Sequence, residues 1–133
     1  MATIHREILI DAPPGQVWDA VRDIGALHTR LVPGFVADTQ LEDGARIVTF
    51  CNGMVARELI IDVDDTTRRI AWATVGTAMK HYSASFQVFP ENGRTRGVWI
   101  ADLLPHEMAP AIAAMIEQGL AAMKRAMEMP LDR

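Results

Sequence analysis

The predicted fold is decided by two adjoining stretches, RTRGVWIADLLP at residues 94–105 and EMAPAIAAMIEQGLAAMKRAMEM at residues 107–129. The first has the composition of a strand and ends at Pro105, which stops strand pairing. The second is rich in Ala, Met and Glu, and Pro110 is tolerable only because it falls in the first helical turn. At 1.5 Å per residue this helix is about 34 Å long, so it can lie across a whole sheet.

A meander of short strands precedes the closing strand. Four of the connections between the predicted strands carry residues that suit a tight hairpin turn, because Gly, Asn and Asp tolerate positive φ angles. The predicted strands occupy residues 35–41, 46–51, 54–63, 68–75, 81–89 and 94–104. The turn dipeptides are Asp43-Gly44, Asn52-Gly53, Asp64-Asp65 and Asn92-Gly93.

The N-terminal part adds a seventh strand at residues 4–11, which ends at the Pro13-Pro14 pair. Apolar residues then recur at helical spacing over residues 16–31, with a break near Gly25, so we expect two short helices. Trp18 on the first of them is predicted to anchor that helix on the end of the sheet. The fold class is therefore α+β, a curved seven-stranded antiparallel sheet around a long C-terminal helix, with two short helices after strand one.

Such a fold predicts a pocket. A sheet that hairpins through six strands twists strongly, and one helix laid on its concave face cannot fill every gap. We expect the pocket to open near the two short helices and the hairpin tips.

Composition limits the classes of partner. The 133 residues fit a single domain over 1–133, and half of them are apolar. The formal net charge of -4 and the lack of a Lys/Arg cluster argue against nucleic acid. Cys51 is the only cysteine, so no internal disulfide can form and a reducing cytoplasm fits best. No run approaches the roughly 20 apolar residues of a transmembrane segment, and the charged N-terminus does not match a secretion signal.

A family resemblance covers essentially the whole chain. The opening strand that runs into DAPPGQVW at residues 11–18, the helix break at Asp23-Ile24, and the Trp99 strand that leads through Pro105 into an amphipathic helix resemble the START-like superfamily. More narrowly, the chain resembles the polyketide cyclase/dehydrase and lipid-transport branch, often called SRPBCC proteins. The resemblance implies a helix-grip fold with a hydrophobic cavity under the long helix. It carries over no catalytic residue set, because carriers, receptors and enzymes share this fold.

Strand alternation and helical spacing predict which side chains line the cavity. For each of them the alternative is ordinary core packing. Gly119 makes room either for a ligand or for a bulky strand residue such as Trp99, because glycine inside a helix usually has a clearance reason. The predicted ligand-binding residues are Phe35, Trp72, Tyr82, Phe86, Trp99, Ile112, Met115, Ile116 and Gly119.

Three residues are the candidates for proton transfer: Glu58, His81 and Tyr82. An inward Glu58 is a plausible acid or base, but an outward side chain that pairs with Arg57 or a neighbouring strand is favoured. His81 falls opposite Tyr82 in the alternation, so it is expected to face solvent. Asp102 is expected outside for the same reason.

No metal site or cofactor is predicted, because the histidines lack zinc-site spacing and no phosphate-binding or dinucleotide motif occurs. The leading hypothesis is binding of a hydrophobic or amphipathic small molecule, such as a polyketide, lipid or aromatic metabolite. The alternative is a polyketide cyclase/dehydratase-type enzyme that uses polar groups in the same cavity. A third is an interaction module whose apolar patch binds another protein or forms a homodimer.

Overall fold

The computed structural model describes residues 1–129, so the last four positions of the predicted 1–133 domain lie outside the described residues. A π-helical turn, Leu27–Leu31, follows the first helix, and a 3-10 turn, His106–Met108, precedes the second. The elements are β1 (Ala2–Ile10), α1 (Pro14–Arg22), β2 (Val36–Glu42), β3 (Ala45–Phe50), β4 (Val55–Asp64), β5 (Arg69–Val75), β6 (His81–Glu91), β7 (Arg94–Leu104) and α2 (Ala109–Glu128).

The seven strands form one antiparallel sheet in the order β1-β7-β6-β5-β4-β3-β2. Strands β2 to β7 follow one another as hairpins, and β1 pairs with the free edge of β7. The β6–β7 ladder is long, and it runs from His81 opposite Leu104 to Glu91 opposite Arg94. The predicted α+β class and the seven-stranded antiparallel sheet are confirmed.

Turn chemistry follows the sequence at three of the four predicted hairpin turns, with positive φ at Gly44, Gly53 and Gly93, and departs from it at the fourth. Asn92 and Gly93 both have positive φ, 52° and 81°, as a tight two-residue turn requires. In the β4–β5 turn the predicted positive φ at Asp64-Asp65 is wrong, because Arg68 takes it instead (φ 55°). Asp64 stays outside that region and accepts hydrogen bonds from the Thr66 and Thr67 amides, at 2.9 and 3.3 Å.

The segment after β1 contains the two predicted short helical elements. The first is α1, which buries its Trp18 face, and the second is the π-helical turn Leu27–Leu31. The indole N–H of Trp18 donates to Asp65 Oδ1 at 2.9 Å, and Arg22 Nε donates to the same oxygen at 2.8 Å. These bonds fasten α1 to the β4–β5 turn, which is the anchoring role predicted for Trp18.

Helix α2 lies on the concave face of the sheet. It begins at Ala109, two residues after the predicted start, because the 3-10 turn occupies the positions before it. Pro110 falls in its first turn, as predicted. From Ile116 onward it is packed into the core, with Leu120, Met123 and Met127 buried as well, whereas none of residues 109–115 is fully buried. Within residues 1–129, no helix has both the length and the apolar character needed to cross a bilayer.

Candidate functional site

A cavity of about 520 Å³ lies between the concave face of the sheet and the N-terminal half of α2. The lining comes from the π-helical turn, strands β2 to β7, the β3–β4 and β5–β6 loops and α2. Its wall is mainly apolar. Besides the predicted residues, the apolar wall contains Leu27, Leu31, Val32, Val36, Val48, Phe50, Ile70, Met79, Ala111 and Met123.

Eight of the nine predicted ligand-binding residues line this cavity, namely Phe35, Trp72, Tyr82, Phe86, Trp99, Ile112, Met115 and Ile116. Gly119 does not line it. A Cβ on Gly119 would lie 3.2 Å from Phe35 Cε2 and 3.3 Å from Trp99 Cζ3. Of the two roles considered for this glycine, the structure therefore supports clearance for bulky side chains rather than contact with a ligand.

Three aromatic rings on adjacent strands form one wall of the cavity. The Trp72 and Trp99 ring centroids are 5.7 Å apart, with an interplanar angle of 71°. The Phe86 and Trp99 ring centroids are 6.3 Å apart, with an interplanar angle of 83°. Edge-to-face contacts are the favoured geometry for aromatic pairs, so these rings hold one another in place. Trp72 and Phe86 are buried, whereas Trp99 remains half-buried. Trp99 is thus the ring of this wall most available to an occupant.

The mouth of the cavity is also apolar. Phe35 packs edge-on against Phe50 with ring centroids 5.4 Å apart. Met54 and Val55 from the β3–β4 hairpin and Met108 from the 3-10 turn complete the rim, and all three are exposed. An apolar solute can therefore contact apolar surface before it enters.

A buried ion pair lies in the wall of the cavity. Arg46 on β3 and Glu58 on β4 are directly opposite one another, and Arg46 Nε donates to Glu58 Oε1 at 2.8 Å. Their side chains are only 4% and 10% exposed. Arg46 Nη1 also donates to the Ile24 carbonyl at 3.3 Å, and the guanidinium lies 5.7 Å from the Trp72 ring centroid.

The outward orientation predicted for Glu58 is wrong. Arg57, the partner considered for it, pairs instead with Glu42 on the outer surface, at 3.1 Å. Sequence reasoning also missed Arg46. The predicted two-residue Asn52-Gly53 turn would place Arg46 opposite Leu59. The observed connection is one residue longer and centres the hairpin on Asn52, which places Arg46 opposite Glu58.

Tyr82 supplies a hydroxyl group to the cavity. Burial raises the pKa of this phenol well above its usual value, and the Glu58 carboxylate raises it further, while Trp99 opposes the shift. The side chain is therefore protonated and neutral at neutral pH. The Trp99 indole N–H is near this hydroxyl, but within residues 1–129 no acceptor meets it in hydrogen-bond geometry.

His81 is not part of the site. It is exposed, and its Nε2 lies 3.1 Å from Ser83 Oγ. Strand alternation places it on the opposite face of β6 from Tyr82, as predicted for its orientation, so the structure removes it from the candidates for proton transfer. Among the described residues, no three His, Cys, Asp or Glu side chains come together in a way that could hold a metal ion.

A family match spans residues 1–128, nearly the whole chain. The chain belongs to the polyketide cyclase / dehydrase and lipid transport family. Membership confirms the resemblance inferred from the opening strand, the helix break and the closing strand with its helix. Curated protein sequences give no match to this member of the family.

Solved structures share the family's helix-grip fold. The protein XoxI from Bacillus cereus has a TM-score of 0.85 at 19% identity, and 96% of each chain is covered. The di-domain ARO/CYC BexL from the BE-7585A biosynthetic pathway also scores 0.85 at 19% identity, with all of this chain covering 48% of BexL. The Zhui aromatase/cyclase from Streptomyces sp. R1128 scores 0.69 at 18% identity, over 95% of this chain and 90% of the other. At these identities the likeness shows the fold alone.

Proposed function

We propose that this protein binds a hydrophobic or amphipathic small molecule, such as a polyketide, lipid or aromatic metabolite, in the cavity between the sheet and α2. The observation that carries the proposal is the apolar and aromatic cavity of about 520 Å³. That volume falls within the roughly 300–1,000 Å³ of small-molecule sites. Protein interiors normally leave few voids larger than a water molecule, so an apolar space of this size between sheet and helix favours a ligand-binding role.

The chemistry of the wall supports an aromatic or polyketide-like ligand. Trp99 offers a half-buried ring face, and Met115 and Met79 offer flexible, polarisable side chains. The family description names polyketide cyclases, dehydrases and lipid transport, and BexL and Zhui carry cyclase names. Both comparisons favour the same range of ligands.

A pair of variants on α2 tests whether the cavity is the binding site. Ala111 lines the cavity, whereas Ala114 on the same helix does not, and both are exposed. Ala111→Trp is expected to weaken binding of 2-naphthol, measured by fluorescence titration, by about tenfold or more because the indole occupies the site. Ala114→Trp is the matched control and is expected to bind as the wild type does. Equal affinities in all three proteins would refute the proposal.

A second function, cyclase or dehydratase catalysis, is favoured by one observation. The Glu58 carboxylate and the protonated Tyr82 hydroxyl both belong to the cavity wall. A carboxylate can remove a proton next to a carbonyl group while a hydroxyl donates a hydrogen bond to the carbonyl oxygen. Arg46 already engages Glu58 Oε1, so only Oε2 is left for such a step.

Turnover distinguishes the two functions. A poly-β-ketone analogue incubated with the protein should be recovered unchanged if the cavity only binds it. Enzyme-dependent cyclised product, lost in Glu58→Gln and in Tyr82→Phe, would establish catalysis instead.

A further inference from the structure

The charges of the cavity cancel. Among the described residues that line it, only Arg46 and Glu58 are charged, and they are joined at 2.8 Å. Both side chains are nearly withdrawn from solvent, with 4% and 10% exposed. The cavity therefore has zero net charge and no unpaired ion to offer a ligand.

This arrangement penalises an ionic ligand. A carboxylate or ammonium group that enters an apolar cavity loses its hydration, and it recovers that loss only if a counter-charge is available. A carboxylate would have to compete with Glu58 for Arg46, and an ammonium group with Arg46 for Glu58. A neutral ligand avoids both costs.

Hydrogen-bonding capacity remains for a neutral polar group. Arg46 Nε and Nη1 are engaged by Glu58 and by the Ile24 carbonyl, and no described residue hydrogen-bonds Nη2. Glu58 Oε2 likewise has no described partner, and Tyr82 adds a neutral hydroxyl. A phenol can use both a donor and an acceptor of this set, and a ketone can use a donor.

We infer, on the basis of the proposed function, that the cavity selects neutral ligands bearing a hydroxyl or carbonyl oxygen over carboxylates and ammonium ions. The Arg46–Glu58 pair is the specificity determinant, because each residue cancels the charge with which the other would attract an ion.

Three probes of one shape but different charge test the selectivity of the wild type. They are 2-naphthol, 2-naphthoate and 2-naphthylmethylammonium, each titrated at pH 7 by calorimetry. We expect 2-naphthol to bind about tenfold or more tighter than either ion, because only the ions are desolvated without a counter-charge. An ionic probe that binds as tightly as 2-naphthol would overturn the inference.

A charge-changing variant tests the role of the pair. Glu58→Gln leaves Arg46 without its carboxylate, so the preference for 2-naphthol over 2-naphthoate should fall by about fivefold or more. Glu42→Gln removes the same charge from the exposed Arg57–Glu42 pair and should leave the preference unchanged. An unchanged preference in Glu58→Gln would show that the pair does not determine specificity.

A second variant covers the case in which Glu58→Gln does not fold. Arg46→Gln leaves Glu58 as the one charged residue among the described residues that line the cavity, so the preference for 2-naphthol over 2-naphthylmethylammonium should fall by about fivefold or more, and an unchanged preference would contradict the inference. The failures are distinguishable. If all three probes bind the wild type equally, the proposed function stands and the selectivity is absent. If none binds, the proposed function fails and the selectivity with it.

Discussion

Glu58 is the residue whose position most changes the interpretation of the sequence. A carboxylate in a strand usually faces water, and here it is buried against Arg46 in the wall of an apolar cavity. The cost of burying both charges is offset only while the pair stays intact. The same pair supplies polar groups to the cavity wall beside the Tyr82 hydroxyl, so under the inferred selectivity both stability and ligand choice depend on it.

Removing one partner of the Arg46–Glu58 ion pair should therefore lower the free energy of unfolding. Glu58→Leu leaves the Arg46 guanidinium buried without a partner and should lower the free energy of unfolding by about 3–5 kcal/mol, measured by urea denaturation. The double variant Arg46→Met/Glu58→Leu should regain most of that loss. Glu42→Leu, which breaks the exposed pair with Arg57, is the control and should cost less than about 1 kcal/mol. A Glu58→Leu protein as stable as the control would show that the pair is not buried in solution.

At the scale of the elements, α1 is held to the sheet through Asp65 in the β4–β5 turn. The hydrogen bonds from Arg22 and then from Trp18 lower the pKa of Asp65 below its usual value of 3.8. A depressed carboxylate pKa contributes stability that is fully present above the unfolded-state pKa and is lost as the pH falls through the folded-state pKa.

Asp65→Asn should consequently be less stable than the wild type at neutral pH, because the asparagine carries no charge to pair with Arg22. The gap between their melting temperatures should narrow as the pH is lowered below 3.8, since the wild-type carboxylate becomes protonated there. Asp43→Asn in the exposed β2–β3 turn serves as the control, with no such pH-dependent gap expected. A gap that stays constant down to pH 3 would mean that the ion pair contributes nothing.

Two glycines on different elements should respond differently to an added methyl group. On β7, a Cβ at Gly97 would lie 2.6 Å from Phe86 Cζ, and Phe86 is buried, so Gly97→Ala should cost about 1–3 kcal/mol of unfolding free energy. On α2, Gly119→Ala should change stability by less than about 1 kcal/mol, because Phe35 and Trp99 can shift toward the cavity and alanine favours the helix. Chemical denaturation measures both, and equal costs would contradict the proposed freedom of Phe35 and Trp99.

At the scale of the whole molecule, local pattern predicted the architecture well. Strand alternation and turn dipeptides located all seven strands, with the bounds of β7 reproduced at Arg94–Leu104. Alternation also grouped Tyr82 with Phe86 on β6 and put Trp99 on the inner face of β7, and all three line the cavity, whereas it left the register of Trp72 open. These features depend on neighbours in the sequence or on the next strand, so they can be inferred without the tertiary structure.

Features that depend on packing between residues far apart in the chain could not be predicted from the sequence. Burial of Glu58 required the register of β3 against β4, and the separation of Gly119 from the cavity required the positions of Phe35 and Trp99 across from α2. The π-helical form of the second short helix, Leu27–Leu31, was likewise not predictable, because apolar spacing indicates only that a segment is helical. The size of the cavity depends on the position of α2 relative to the sheet, and no local sequence pattern predicts that position.

The measurement that tests the central claim most directly is methyl NMR of the protein titrated with 2-naphthol. We expect saturable shift changes at the cavity methyl groups of Ile112, Met115 and Ile116, with none at Ile61, which is 63% exposed and lies outside this cavity. Changes at Ile61 without changes at those three residues, or no changes at saturating probe, would contradict the claim that the space between the sheet and α2 is a ligand site.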